Sequence, residues 1–217
     1  MVLLCGIDDA GRGPVVGPLV MCGVLINADD ESKLKDMGAK DSKLLTPRQR
    51  EGLAERIKEF VTKYKTVIIN PAEIDDAVMG KEGLNLNWLE ALKSVEIINA
   101  LKPDRVILDC PSPNIPAYTR YLAIRVSNKR AVLHCAHKAD VLHPIVSAAS
   151  IIAKVTRDEE IEKLKKSIKM DFGSGYPSDP RTIGFLKKYW NTYPQIFRHT
   201  WAPYKKAADV GVQQRLS

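Results

Sequence analysis

The sequence predicts an α/β domain, and three observations carry the prediction. Short apolar runs at Leu3–Ile7, Leu19–Ile26, Thr66–Ile69 and Val106–Leu108 alternate with longer segments whose apolar residues recur at helical spacing. Several of the longer segments open on recognisable helix caps. A chain of 217 residues, 45% of them apolar, is long enough to bury one sizeable core.

The elements follow in order. Leu3–Ile7 and Leu19–Ile26 read as strands joined through the glycine-rich Ala10-Gly-Arg-Gly-Pro14, a hairpin-like connection. Thr46-Pro-Arg-Gln49 is a capping box with proline at the first helical position, and Leu53, Ile57, Phe60, Val61 and Tyr64 follow at helical spacing. Thr66–Ile69 is a strand, Asn70-Pro-Ala-Glu73 starts a short helix, and Leu84–Leu101 carries Trp88, Leu92, Val95 and Ile98 on one helical face. Val106–Asp109 is a short buried strand ending in an acid, and Ala131–Ala136 is another strand. From Pro144 a long helix runs through Ser-Ala-Ala-Ser-Ile-Ile-Ala-Lys154, apolar nearly all round. It continues into a Glu/Lys-rich half suited to i,i+4 pairing in solvent. Asp171–Asp179 is a Gly, Ser and Pro loop, Asp179 caps a helix through Tyr189, and a small helical C-terminal region follows. A catalytic domain over residues 1–170 and a helical region over 171–217 are therefore expected.

The formal charge of +7 suits a polyanionic partner, because lysines and arginines that neutralise phosphates release condensed counterions. The four cysteines form no C-x-x-C pair and sit mostly in strand-like runs, which reads as buried thiols rather than zinc ligands or disulfides. The N-terminal apolar run is too short for a signal peptide and no stretch suits a membrane span, so a cytoplasmic protein without membrane contact is expected.

The chemistry lies in the acids. Asp8 and Asp9 are adjacent carboxylates at a strand end, just ahead of Gly11-Arg12-Gly13. Taken alone the pair reads as a solvated acidic turn, and Asp109 or Asp140 taken alone as a helix cap or surface acid. All four follow predicted strands, and strands lying side by side would bring them to one sheet edge. Oxygen ligands suit hard cations such as Mg²⁺ or Mn²⁺, and two such ions ~3.5–4 Å apart serve phosphodiester cleavage. The glycine loop is not a dinucleotide fingerprint, since a strand and not a helix follows it, and no P-loop is present. The four histidines are dispersed and read as structural, and Ser150 lacks a G-x-S-x-G elbow.

Six ordered motifs now stand together: Gly6-Ile-Asp-Asp-Ala-Gly-Arg-Gly13, Lys40-Asp-Ser-Lys43, Leu108-Asp109, His137-Lys-Ala-Asp140, Ala148-Ala-Ser-Ile-Ile-Ala-Lys154 and Gly173-Ser-Gly-Tyr176-Pro-Ser-Asp-Pro180. Over nearly the whole chain, through Arg198-His-Thr-Trp201, they resemble type 2 ribonuclease H of the archaeal kind. The resemblance implies a ribonuclease H-like fold, a five-stranded mixed sheet flanked by helices with a small C-terminal helical extension helping to form a substrate groove. It implies endonucleolytic cleavage of RNA in RNA/DNA hybrids and of single ribonucleotides in duplex DNA, leaving 5′-phosphate and 3′-hydroxyl ends. Asp8, Asp9, Asp109 and Asp140 would hold two divalent ions, Mg²⁺ or Mn²⁺. The backbone of Gly11, Arg12 and Gly13 would read the ribose 2′-hydroxyl, Tyr176 would stack near the RNA-to-DNA junction, and Lys43 would contact phosphate. Lys138, Lys154 and Arg157 read equally as phosphate ligands and as partners of nearby acids.

One position departs from the family pattern: Asp9 stands where the family has glutamate. The carboxylate is one methylene shorter, and Mg²⁺ demands near-ideal octahedral contacts, so lowered activity or a shift toward Mn²⁺ is expected. Two other functions stay open on the residues alone, namely another nuclease of the ribonuclease H superfold and a non-catalytic hybrid-binding module. A monomer is expected. The tail Gln213-Gln-Arg-Leu216 holds only half of a sliding-clamp motif, and clamp binding through it is not expected.

Overall fold

A computed structural model of the chain describes residues 1–39 and 45–216, with side chains described through residue 210. Lys43 and the tail from residue 211 therefore contribute no described side chain. The described residues group into two compact units, one of residues 1–10, 20–68 and 87–156, the other of residues 11–19, 69–86 and 157–217.

The first unit is built on a five-stranded sheet ordered β3-β2-β1-β4-β5, with β1 at Leu3–Ala10, β2 at Leu19–Asn27, β3 at Lys63–Ile69, β4 at Arg105–Asp109 and β5 at Val132–Ala136. β1 pairs antiparallel with β2 and parallel with β4, and β4 pairs parallel with β5, so the sheet is mixed. The sequence ends the first strand at Ile7. The structure carries it to Ala10, because the ladder with β2 continues to the Ala10↔Val20 pair and takes in both aspartates.

Helices α1 (Glu31–Asp36), α2 (Pro47–Phe60), α3 (Pro71–Val78), α4 (Leu86–Leu101), α5 (Ile115–Arg125), α6 (Ala139–Leu142) and α7 (Pro144–Ile168) follow in chain order. The capping box is formed: Thr46 Oγ1 accepts from Gln49 N–H, and the Gln49 side chain accepts from Thr46 N–H at 3.0 Å. α5 has no counterpart in the sequence reading, although Asn114 caps it and a proline lies in its first turn. The start of α7 packs on one face of β1 through a glycine. A Cβ on Gly6 would come within 2.5 Å of the Ile145 carbonyl, so only glycine admits the helix there. α4 covers the opposite face, where Gly23 meets Ile7 in register and a Cβ would strike Leu101 at 3.1 Å. The first half of α7 is buried all round, as its sequence predicts, with Ile145, Val146, Ala149 and Ile152 wholly inside. Its second half carries ion pairs at i,i+3, Lys163 to Glu160 and Lys165 to Glu162, rather than the expected i,i+4 spacing.

The second unit has an aromatic core. Phe185 lies 5.5 Å from Phe172 and 5.8 Å from Phe197, ring centre to ring centre, and Phe197 lies 5.7 Å from Tyr204. α8 (Pro180–Tyr189) is capped by Asp179 as expected, and α9 (Ala202–Leu216) supplies the C-terminal helix. Among the described residues no helix is long and apolar enough to cross a membrane.

The cysteines among the described residues are buried and unpaired. Burial pushes the Cys5 thiol up to about 12 and the Cys135 thiol to about 11, which leaves both protonated and inert at neutral pH.

Candidate active site

Strand order places the acids. Ile7 of β1 sits beside Leu108 of β4, so Asp8 and Asp109 stand one step further along, toward the C-terminal ends of adjacent parallel strands. Strand ends of this kind are where α/β sheets assemble sites. Side chains alternate across a strand, so Asp8 shares the α7 face with Gly6, whereas Asp9 shares the α4 face with Ile7. α7 brings the Ser150 hydroxyl to Asp8.

Asp8 is only 7% exposed. Burial, then the charge of Asp9, pushes its carboxyl up to about 8. The Ser150 hydroxyl and the Asp9 amide oppose the rise, and the charge of Asp109 adds to it. Ser150 Oγ is itself buried without a hydrogen bond of good geometry, so it steadies Asp8 by proximity rather than by a formed bond. Asp109 turns toward α6: its Oδ1 accepts from Ala139 N–H at 2.7 Å, fixing the start of that helix one residue before Asp140. Lys138 takes a left-handed conformation, φ 57°, to make that corner, and His137 Nδ1 lies 3.0 Å from the Cys110 carbonyl oxygen. Asp140 is half-buried in the first turn of α6.

Thus Asp8, Asp9 and Asp109 share one field, and the hydrogen bond from Ala139 N–H to the Asp109 carboxyl ties Asp109 to the neighbourhood of Asp140. Among the described residues no group of three His, Cys, Asp or Glu side chains is placed to hold a metal ion. An all-oxygen donor set, with one carboxyl pushed up by burial and by neighbouring acids, fits a hard cation whose charge would favour the carboxylate form.

The glycine loop lies in the second unit with Tyr176. Gly11 has φ +86°, and a Cβ there would meet the Pro18 carbonyl oxygen at 2.9 Å. Val15 N–H donates to the Gly175 carbonyl at 2.9 Å, which docks the Tyr176 loop on the glycine loop, and Tyr176 Cε1 lies 3.8 Å from where a Gly13 Cβ would stand. Tyr176 is 38% exposed, and the Arg157 guanidinium lies 5.1 Å from its ring centre. Arg157 resolves toward structure: it is buried, donates to the Ser174 carbonyl at 2.6 Å and pairs with Asp158 at 3.1 Å. The Ser174–Asp179 turn is held by Ser174 N–H donating to Asp179 Oδ2, which with Arg181 N–H draws that carboxyl down to about 2.

Sequence reasoning missed Arg198 and Trp201 as parts of this loop. Arg198 is wholly buried and donates to the carbonyls of Gly11 at 2.6 Å, Arg12 at 2.8 Å and Gly17 at 3.1 Å. Trp201 Nε1 donates to the Gly13 carbonyl at 3.3 Å. No periodicity points to a side chain whose partners are backbone atoms more than 180 residues away.

The sheet is mixed, ordered 3-2-1-4-5, and its central parallel strands β1 and β4 carry carboxylates toward their C-terminal ends. The solved ribonuclease H2 from Pyrococcus horikoshii OT3 superposes with a TM-score of 0.87 at 41% identity, covering 96% of this chain and 98% of that one. The chain in the PCNA:RNase HII complex from Archaeoglobus fulgidus matches with a TM-score of 0.83 at 39% identity, covering 92% and 95%. The family model described as Ribonuclease HII matches residues 5–204. Ribonuclease HII of Pyrococcus furiosus is 44% identical over 94% of this chain and 90% of its own length. The chain belongs to the ribonuclease HII family and is an endoribonuclease of that type.

Proposed function

We propose that the protein cleaves RNA endonucleolytically in RNA/DNA hybrids and at single ribonucleotides within duplex DNA, leaving 5′-phosphate and 3′-hydroxyl ends. The observation that carries the reading is Asp8, a buried carboxyl pushed up to about 8 by burial and by the charges of two further acids beside it. Asp8, Asp9, Asp109 and Asp140 would hold two divalent ions, Mg²⁺ or Mn²⁺. Bound there, such ions would supply a nucleophilic water at neutral pH and charge neutralisation at the leaving oxygen. Ser150 steadies the Asp8 carboxylate, and Asp109 keeps α6 and therefore Asp140 in place. The amides of the Gly11-Arg12-Gly13 loop, which the chain enters directly after β1, read the 2′-hydroxyl, the one group that separates RNA from DNA at a nucleotide. Tyr176, the contribution of residues 171–217, stacks near the RNA-to-DNA junction, and Lys43 contacts phosphate. The enzyme acts as a cytoplasmic monomer.

Incubating a labelled RNA/DNA hybrid with Mg²⁺ or Mn²⁺, beside Asp109→Asn, tests the reading. Internal cleavage by the unaltered protein and none by the variant is the expected result. Hybrid binding without cleavage in either metal would make the protein a binding module instead.

A further inference from the structure

The three carbonyls of the glycine loop are all taken by one short segment. Arg198 holds those of Gly11 and Arg12, and Trp201 holds that of Gly13. The segment is itself pinned: buried Asp75 accepts from His199 N–H at 2.7 Å, Thr200 N–H at 2.9 Å and Thr200 Oγ1 at 2.5 Å, and Arg198 N–H donates to the Val15 carbonyl at 2.9 Å. The Arg198 guanidinium also lies 5.1 Å from the Trp201 ring centre, so the two side chains brace each other.

Peptide planarity turns this into a statement about donors. In a trans peptide the carbonyl of one residue and the N–H of the next point in opposite directions. A Gly11 carbonyl drawn to Arg198 therefore faces the Arg12 N–H away from Arg198, and an Arg12 carbonyl drawn to Arg198 does the same for the Gly13 N–H. The third carbonyl precedes Pro14, which has no N–H, so Trp201 fixes the loop without committing a donor. Gly11, with φ +86° and no Cβ, would otherwise let this loop rotate among several backbone conformations.

We propose that Arg198 and Trp201 are positioning residues for ribose discrimination: by clamping the loop carbonyls they aim the Arg12 and Gly13 amides at the nucleotide sugar. The inference rests on the reading that the glycine loop recognises the 2′-hydroxyl. Arginine is required because its planar fork serves three carbonyls at once, whereas a lysine ammonium on a flexible stem cannot hold that geometry.

The test is binding without cleavage. In EDTA, dissociation constants are measured for the full chain with two duplexes of one sequence, one all-DNA and one carrying a single ribonucleotide. The ratio of the two constants isolates recognition of the 2′-hydroxyl. Arg198→Lys is expected to bring that ratio down about 5- to 10-fold, the worth of a lost hydrogen bond, with all-DNA binding within about 2-fold of the unaltered protein. Trp201→Phe keeps the ring packing, loses only the indole N–H, and is expected to lower the ratio about 2- to 3-fold. If Arg198→Lys does not fold, Trp201→Phe decides. Both duplexes weakening together, or an unchanged ratio in folded variants, would overturn the proposal. Gly13→Ala separates this from the parent reading, because its methyl would meet only Tyr176, at 3.8 Å, and leaves the clamp intact. A ratio lost in Gly13→Ala but kept in both clamp variants sinks the clamp alone. A ratio kept in all three, or near one in the unaltered protein, sinks both.

Discussion

Asp8→Asn should make the metal-free protein more stable while destroying its activity. The Asp8 carboxyl rises from an ordinary 3.8 to about 8 on folding. Because the folded value is the higher one, its contribution to stability is complete below about pH 3.8 and is lost as pH climbs through about 8. Each unit is worth ~1.4 kcal/mol, so near pH 8 the metal-free fold carries an unfavourable contribution with a ceiling on the order of 5 kcal/mol. Asparagine removes the charge but must find hydrogen bonds in a site shaped for a carboxylate, so about 2 kcal/mol of net gain is expected. For a chain of this size that raises Tm by roughly 4–8 °C. Thermal melts in EDTA at pH 4 and pH 8 test it. The gain should be present at pH 8 and nearly absent at pH 4, and millimolar Mg²⁺ should stabilise the unaltered protein but not the variant. Equal melting at pH 8 without metal would refute the argument that burial and neighbouring charge strain this carboxyl.

Further outcomes follow from the same geometry. Asp9→Glu, which restores the reach of the family residue, should raise the Mg²⁺-supported cleavage rate about tenfold and narrow any preference for Mn²⁺; unchanged rates in both metals would show that side-chain length is immaterial there. Gly11→Ala places a Cβ 2.9 Å from the Pro18 carbonyl oxygen in a left-handed residue and should cost about 1–3 kcal/mol, read as a lower urea midpoint. Tyr176→Ala should lower kcat/KM on a single-ribonucleotide substrate about tenfold while leaving Tm within about 2 °C, since the ring is 38% exposed. A large fall in Tm would instead make Tyr176 a packing residue.

Much of the fold was legible because its signals are local. The capping box at Thr46, the proline-started helices at Pro47 and Pro71 and the all-apolar half of α7 each depend on near neighbours, and each appears where expected. α5 went unread because its apolar face is thin, with only Tyr118 and Leu122 buried, though Asn114 marked its start. The extension of β1 to Ala10 was not visible either, since two aspartates are poor strand formers and only the ladder with β2 holds them there. The candidate acids were readable as carboxylates after strands. Their unequal states were not, because the burial of Asp8 comes from α7, more than 130 residues later in the chain. Arg198 and Trp201 were less visible still. Their partners are backbone carbonyls, which leave no trace in residue type.

The most direct measurement uses a covalently closed DNA circle carrying one ribonucleotide, incubated with Mg²⁺ and then with Mn²⁺. A single nick at the ribonucleotide, with 5′-phosphate and 3′-hydroxyl ends and none formed by Asp109→Asn, is the predicted result. A circle that stays closed with both metals while a hybrid with free ends is degraded would contradict the account, because it would show an enzyme that needs an end and not a ribose.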